Sequence, residues 1–368
     1  MRLYLFLPAL FICSIVRAQD LDSISKSPDS LSVPLADTMS VISIDTVSII
    51  GVGDIMMGTN YPEDKLPPND GSHLLRNVES ILQDSDVTFG NLEGTLLNDG
   101  GVPKKCKDPK VCYAFRTPVR YVRNLVNAGF DMMSLANNHA GDMGDPGRIS
   151  SIHTLDSVNI LHAGQLTYPT VIFEKDSIKY GLAAFAPNSN CVDINDLAGA
   201  IEIVKKLDSI CDIVIVSFHG GAEGAQYQTV PRTNEMFYGE KRGDVYKFSH
   251  TLIDSGADIV FGHGPHVTRA MEVYNDRFIA YSLGNFCTYR GISVNGVNGL
   301  APIVKVFTDK TGKFFYGKII PTYQTYDTGV RIDPQNQVIK IIQELTKKDF
   351  PESQIRIDDN GLITYLAQ

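Results

Sequence analysis

The chain has 368 residues, of which 43% are hydrophobic, and a formal net charge of −9. This length suits one large or two ordinary folded domains. An acidic chain with no Lys/Arg-rich run excludes nucleic acid as the main partner. It also repels a polyanion everywhere except at a locally positive or metal-bearing site.

Arg2, the apolar stretch Leu3–Val16 and the segment Val16-Arg17-Ala18 read as an export signal over residues 1–18. The stretch is short for a membrane span. Export predicts a periplasmic or cell-surface location, with membrane tethering as an alternative, and an oxidising compartment. Cys13 is a weaker lipoprotein candidate because Ile12 stands where a small residue is expected. Residues 19–45 are rich in Ser, Asp and Pro without a sustained period, and read as a flexible tether.

From Thr46 the texture changes. Apolar runs at Val47–Val52, Val87–Phe89, Met132–Leu135, Ile213–Phe218, Ile259–Phe261 and Phe278–Ser282 predict strands. Helical patterns lie between them at Leu74–Leu82, Val119–Ala128, Ile149–Val158, Leu197–Leu207 and Val245–Ser255. This alternation predicts an α/β domain. After Gly299, Ala301–Phe307 and Lys313–Ile320 predict a hairpin, Val338–Leu345 a helix, and Gln354–Ile357 and Leu362–Leu366 two strands. Cys106 and Cys112 flank a polar loop and form either a local disulfide or two thiols, since spacing alone does not fix Cα geometry. Cys191, Cys211 and Cys287 lie in or near apolar runs, which predicts burial.

Each predicted strand is followed at once by a polar cluster: Gly53-Asp54, Gly90 to Glu93, Ala136 to His139, His219 to Gly221, Gly262 to His266, and Leu283 to Asn285. In α/β sheets the ligand site lies beyond the carboxyl ends of the strands. Asp54, Glu93, Asn138, His139, His219, His263 and His266 together offer carboxylate, amide oxygen and imidazole. A mixed O/N set suits Mn, Fe or Zn better than Ca or Mg. A bridging carboxylate allows one or two divalent metals, a pair standing about 3.5–4 Å apart. Taken singly each residue has a plainer role, such as a helix cap for Asp54 or a turn residue for Asn138. Their recurrence at successive strand ends favours a metal site.

The series G-D-I-M-M-G, N-L-E-G, A-N-N-H-A-G-D, F-H-G-G-A-E, G-A-D-I-V-F-G-H-G-P-H-V and Y-S-L-G-N-F resembles the CapA family. That family is associated with poly-γ-glutamate capsule synthesis and has the calcineurin-like metallophosphoesterase fold. The resemblance covers about Val47 to Pro321. It implies a four-layer α/β/β/α sandwich over residues 46–321, with 322–368 as a C-terminal α/β extension packed on it. It also implies that Asp54 and His266 serve a first metal, that Glu93 bridges, and that Asn138, His219 and His263 serve a second. By the same resemblance His139 is the proton donor or transition-state stabiliser, oriented by Asp142.

Two departures from the phosphatase pattern stand out. Met56 occupies the position of an imidazole ligand in D-x-H, and a thioether is a poor ligand for Mn or Zn. The bridging acid is Glu93, longer than the usual Asp. For substrate, Arg116 reads either as a fork for carboxylate or phosphate or as a surface ion pair. Glu223 reads as a support for His219 or a binder of a substrate amine. Asn285 is a substrate-side candidate whose better reading is a brace. Tyr227, Arg232 and Tyr238 fall in a long loop suited to carrying specificity.

Three functions follow. The leading one is metal-assisted hydrolysis or transfer on an anionic envelope polymer, by implication poly-γ-glutamate or a related acidic peptide. Membrane-bound synthesis partners are compatible with it. The second is a phosphoesterase acting on a small secreted ester. The third is a non-catalytic subunit that binds or guides polymer during export.

Overall fold

The structure is a computed structural model that describes residues 46–105 and 112–365. The export signal, Cys13, the tether up to residue 45 and Cys106 lie outside the described residues. Among the described residues, no helix is long and apolar enough to cross a membrane.

Two sheets face each other. In the ten-stranded sheet, Val47–Met56 is flanked by Val87–Leu92 (parallel) and Leu300–Thr308 (antiparallel). Met132–Ser134 and Leu161–Ala163 continue it in parallel. The six-stranded sheet has parallel strands Ile178–Phe185, Ile213–His219, Ile259–His263 and Arg277–Ala280 at its centre, with antiparallel strands at both edges. Strands buried on both faces carry unbroken apolar runs rather than an alternation. Ile213–His219 and Ile259–His263 are buried at every position.

The three main apolar cores give the layer order. Between the sheets, Ile49, Phe89 and Met132 pack with Leu182, Ile215, Ile259 and Phe261. Phe89 and Phe261 stack with ring centroids 5.6 Å apart. Fully burying such a side chain stabilises by about 1.5–3 kcal/mol. A Cβ on Gly51 would lie 2.5 Å from the Phe261 ring, so glycine is needed for this approach. On the outer face of the larger sheet, Ile50, Val52 and Met133 meet Leu82, Leu125 and Leu155 from three helices. On the outer face of the smaller one, Val214, Val216 and Phe218 meet Val204, Leu207, Phe248 and Leu252. Helix, sheet, sheet, helix is the four-layer order that the resemblance implies.

The tail extends this frame. Phe314–Thr325 pairs with Leu300–Thr308, with Gly329–Ile332 and with Leu362–Tyr365. The helix Gln337–Asp349 places Val338, Ile339 and Ile342 in the core between the sheets.

Element limits differ from expectation at several places, and the strands Leu161–Ala163, Met271–Tyr274, Asn285–Thr288 and Gly329–Ile332 have no counterpart among the expected elements. Only Glu79–Leu82 of the segment from Leu74 is α-helical, because the Leu74 carbonyl accepts from Val330 N–H at 2.8 Å instead of closing a turn. The helix expected from Ile149 begins at Gly144, with Pro146 in its first turn, where a missing N–H costs nothing. The hairpin of Thr170–Lys175 and Ile178–Phe185 has no counterpart among the expected elements. Cys211 is half-buried rather than buried, whereas Cys191 and Cys287 are enclosed as expected.

Candidate metal centre

The acids and imidazoles meet because strand register sets them side by side. Asp54 pairs with Asn91 on one neighbouring strand and with Asn285 on the other. His219 and His263 are partners on adjacent parallel strands of the second sheet. Glu93 follows Leu92 directly, and Asn138 and His139 follow the strand Met132–Ser134. The carboxyl ends of both sheets therefore converge.

Asp54, Glu93 and His219 each offer a ligand atom, and the three atoms lie within 4.8 Å of one another. All three residues are fully buried. Both Glu93 oxygens, both His219 ring nitrogens and Asn138 Oδ1 are buried without a hydrogen-bond partner. Such orphans are rare in native proteins and call for an explanation. A divalent cation satisfies carboxylate, amide oxygen and neutral imidazole together, so this donor set fits a transition metal. Burial, aided by the nearby Arg242 charge, holds His219 well below the usual imidazole range and leaves it neutral. Burial likewise raises Glu93 well above the carboxylate range, with Asp54 and Glu223 adding repulsion while His266 opposes.

His266 is fixed by its other ring nitrogen. Its Nδ1–H faces Asp54 Oδ2 and Asn285 Oδ1, both at 3.0 Å, which leaves Nε2 pointing to Glu93 Oε1 at 3.5 Å. Burial alone would lower its pKa, but Glu93, Asp54 and Glu223 push it up to about 10. Asp54 shows the converse balance. Burial would raise it, but His266, His263 and Asn91 hold it below its ordinary value. His263 donates from Nε2 to the Val52 carbonyl at 3.1 Å, while its Nδ1 stands 3.4 Å from Ser217 Oγ. Burial lowers the His263 pKa as well, which keeps the ring neutral with both nitrogens partnered, so it stands beside the Asp54, Glu93 and His219 ligand atoms rather than among them.

His139 lies against this cluster, its Nε2 3.8 Å from Glu93 Oε1. Its Nδ1 is 2.7 Å from Asp142 Oδ2, and its ring packs on Phe115 at 4.4 Å. Phe115 N–H also donates to Asp142, at 2.6 Å. Burial lowers the His139 pKa, with Asp142 opposing and Lys104 adding to the fall.

Met56 does not take part. It packs with Phe115 and Ile292 in a small apolar cluster, and its sulfur accepts from Gly58 N–H at 3.3 Å. The thioether supports the ring beneath His139 rather than facing the centre.

Asn285 keeps its better reading as a brace, whereas Arg116 needs correction. Every polar side-chain atom of Asn285 is taken. Its Oδ1 accepts from His266, and its Nδ2 donates to the Ser293 and Asn298 carbonyls, both at 3.2 Å. Asn285 is a brace for His266. Arg116 donates from Nε to Asn60 Oδ1 at 2.7 Å and from Nη1 to the Gly100 carbonyl at 2.9 Å, and it lies over the Tyr61 ring. It ties two loops together. Arg232 pairs with Glu352 rather than facing the centre. Glu223 stands at the edge of the cluster, 3.9 Å from His266 Nε2.

Several contributors escaped the sequence reading. Lys104 Nζ lies 2.6 Å from Asp142 Oδ1 and donates to the Asn138 carbonyl at 3.1 Å. Only a generic basic loop marks it in the sequence. Asn91 donates to Asp54 at 2.8 Å, and Asn137 donates to Asn91 Oδ1 and the Leu92 carbonyl at 3.0 and 2.9 Å. Both amides sit inside the quoted motifs, beside the residues chosen as ligands. Buried Arg242 pairs with Glu223 at 2.8 Å. Cys112, for which the sequence left a disulfide or a thiol open, is disulfide-bonded.

Fold and site together define a class: a four-layer α/β protein with a candidate transition-metal centre where the ends of two sheets meet. Within that class, the chain belongs to the family of the bacterial capsule synthesis protein PGA_cap, which it matches over residues 48–290, the span that holds every residue of the centre. The capsule biosynthesis protein CapA of Bacillus anthracis is 27% identical over 260 residues, covering 65% of this chain and 59% of that protein. The PGA biosynthesis protein CapA of Bacillus subtilis is 29% identical over 314 residues, covering 80% of this chain and 77% of that protein. Among solved structures, a hypothetical protein from Thermus thermophilus overlaps with a TM-score of 0.46 at 14% identity, covering 76% of this chain and all of that one. The calcineurin-like phosphoesterase YfkN of Bacillus subtilis overlaps at 0.36 and 11%, covering 78% of this chain and 88% of that one. Overlaps this loose add nothing to the layer order read above.

Proposed function

We propose that the chain is a metal-dependent hydrolase or transferase acting outside the cytoplasm on an acidic envelope polymer, poly-γ-glutamate or a relative. The observation that carries this reading is the convergence of Asp54, Glu93 and His219 within 4.8 Å, with Glu93 and His219 buried and unpartnered beside the His139–Asp142 pair. Family membership and the relatives named for capsule and PGA biosynthesis supply the substrate class. Export rests on the N-terminal signal read in the sequence.

Asp54, Glu93, Asn138, His219 and His266 would hold one or two ions of Mn, Fe or Zn. A bound divalent metal supplies Lewis-acid polarisation of the scissile group and water activation near neutral pH. His139 keeps its Nδ1 proton on Asp142 and presents Nε2 to the centre. There it takes a proton from the attacking group and returns it to the leaving group. Asn285 and Asn91 hold His266 and Asp54 in place. Met56 turned into an apolar cluster favours a single well-held ion.

Elemental analysis of the purified chain, with a turnover screen over γ-glutamyl and phosphoester substrates, tests the reading. Bound transition metal with γ-glutamyl cleavage is expected. Phosphoester cleavage alone would move the chain to the phosphoesterase class, and neither metal nor turnover would leave a binding subunit.

A further inference from the structure

We propose that Glu223 is itself a metal ligand, through Oε2. This rests on the metal-dependent reading above and deepens it.

The loop that carries Glu223 is built onto the turn that carries His266. Gly220 N–H donates to the His263 carbonyl at 2.8 Å, and Gly224 N–H donates to the Pro265 carbonyl at 2.9 Å. Gly264 has φ +115°, and a Cβ there would lie 2.6 Å from the Gly220 carbonyl oxygen. Loop and turn are thus in backbone contact, and their spacing is fixed.

The Glu223 carboxylate is divided between two tasks. Oε1 pairs with Arg242 at 2.8 Å, and Arg242 is itself buried, with its Nε donating to the Gly221 carbonyl at 3.1 Å. Oε2 is left 3.9 Å from His266 Nε2, which in turn lies 3.5 Å from the unpartnered Glu93 Oε1. Ligands that bind a metal at roughly 2.0–2.2 Å stand roughly 3–4.4 Å from one another, and both separations fall in that range. One oxygen on a guanidinium and the other on the ion is the usual arrangement for an oriented carboxylate ligand.

The test uses the full exported chain, stripped with chelator and titrated with Mn²⁺ alone, read by calorimetry and by the Mn²⁺ paramagnetic resonance spectrum. Glu223→Gln is expected to bind Mn²⁺ at least tenfold more weakly and to change the spectrum. Because it also leaves buried Arg242 without its nearest carboxylate, its metal-free melting midpoint is expected to fall, and affinity is compared at a temperature where parent and variant are both folded. Glu223→Asp keeps the charge but shortens the reach. It is expected to weaken binding as well, whereas a purely electrostatic role would leave affinity intact. Parental affinity and spectrum in both variants would overturn the proposal and leave the metal-dependent reading standing. A parent chain that binds no Mn²⁺, Zn²⁺ or Fe²⁺ would overturn both.

Discussion

Two buried glutamates behave in opposite ways. Glu235 is 6% exposed and fully paired. Arg269 holds both its oxygens at 2.8 Å, and Ala222 N–H donates to it at 2.9 Å. Glu93 is 0% exposed and has no hydrogen-bond partner on either oxygen. Burial is therefore no mark of function by itself. A buried acid with a complete set of partners holds loops together, whereas one without them is kept for something that arrives later.

The largest effect should fall on the unpartnered side. Glu93→Met or His219→Ala should lower metal content and turnover by roughly a hundredfold or more, measured by elemental analysis and initial rates. Unchanged metal content in both variants would place the centre elsewhere. On the paired side, Glu235→Gln leaves buried Arg269 without a counter-charge and should lower unfolding free energy by about 3–5 kcal/mol in denaturant titration. Activity at saturating metal should follow only the loss of folded protein.

Asp258 gives an intermediate case. It accepts from Val214 N–H at 2.7 Å and pairs with Arg277 at 2.7 Å, yet burial outweighs both and pushes it up to about 7 from an ordinary 3.8. The folded form then binds its proton more tightly than the unfolded chain. The stability tied to that proton is complete below about 3.8 and is lost as pH rises through about 7. Parent minus Asp258→Asn should therefore fall across that window, by at most about 4 kcal/mol, in melting curves taken at successive pH values. A flat difference would mean that Arg277 keeps the carboxylate charged throughout. The smallest effect reverses the sign of the second. In chelator, Glu93→Met should stabilise the chain by about 1–3 kcal/mol, because two orphaned oxygens are removed. A loss of stability there would erase the contrast between the two glutamates.

The layered fold was largely legible in the residues. Short β-branched runs such as Ile213–Phe218 and Ile259–Phe261 read as strands buried on both faces, and the helices Leu197–Asp208 and Val245–Ile253 start at Asp caps. The hairpin at Thr170–Phe185 was not legible, since its turn is Asp176-Ser177, both with positive φ, rather than a glycine pair. Asp54, Glu93 and His219, the candidate ligands that the structure brings within 4.8 Å of one another, could be picked from strand-end clusters because metal chemistry needs particular side chains. Lys104 could not, since its contacts with Asp142 and Asn138 depend on how a loop returns. Nor could the partners of Asn285, because nothing in Gly284-Asn285-Phe286 names the Ser293 and Asn298 carbonyls that its amide reaches.

The pairing of His219 with His263, and of Asp54 with Asn91 and Asn285, also constrains descent. Side chains on a strand alternate sides with a period of two, so one inserted residue before His219 would turn its imidazole away from its partners. Insertions of any size remain open to the connecting loops. Within the strands, only changes that preserve odd–even parity would keep the chemistry, so lineages of this chain should vary in outline far more than in the phase of these few positions.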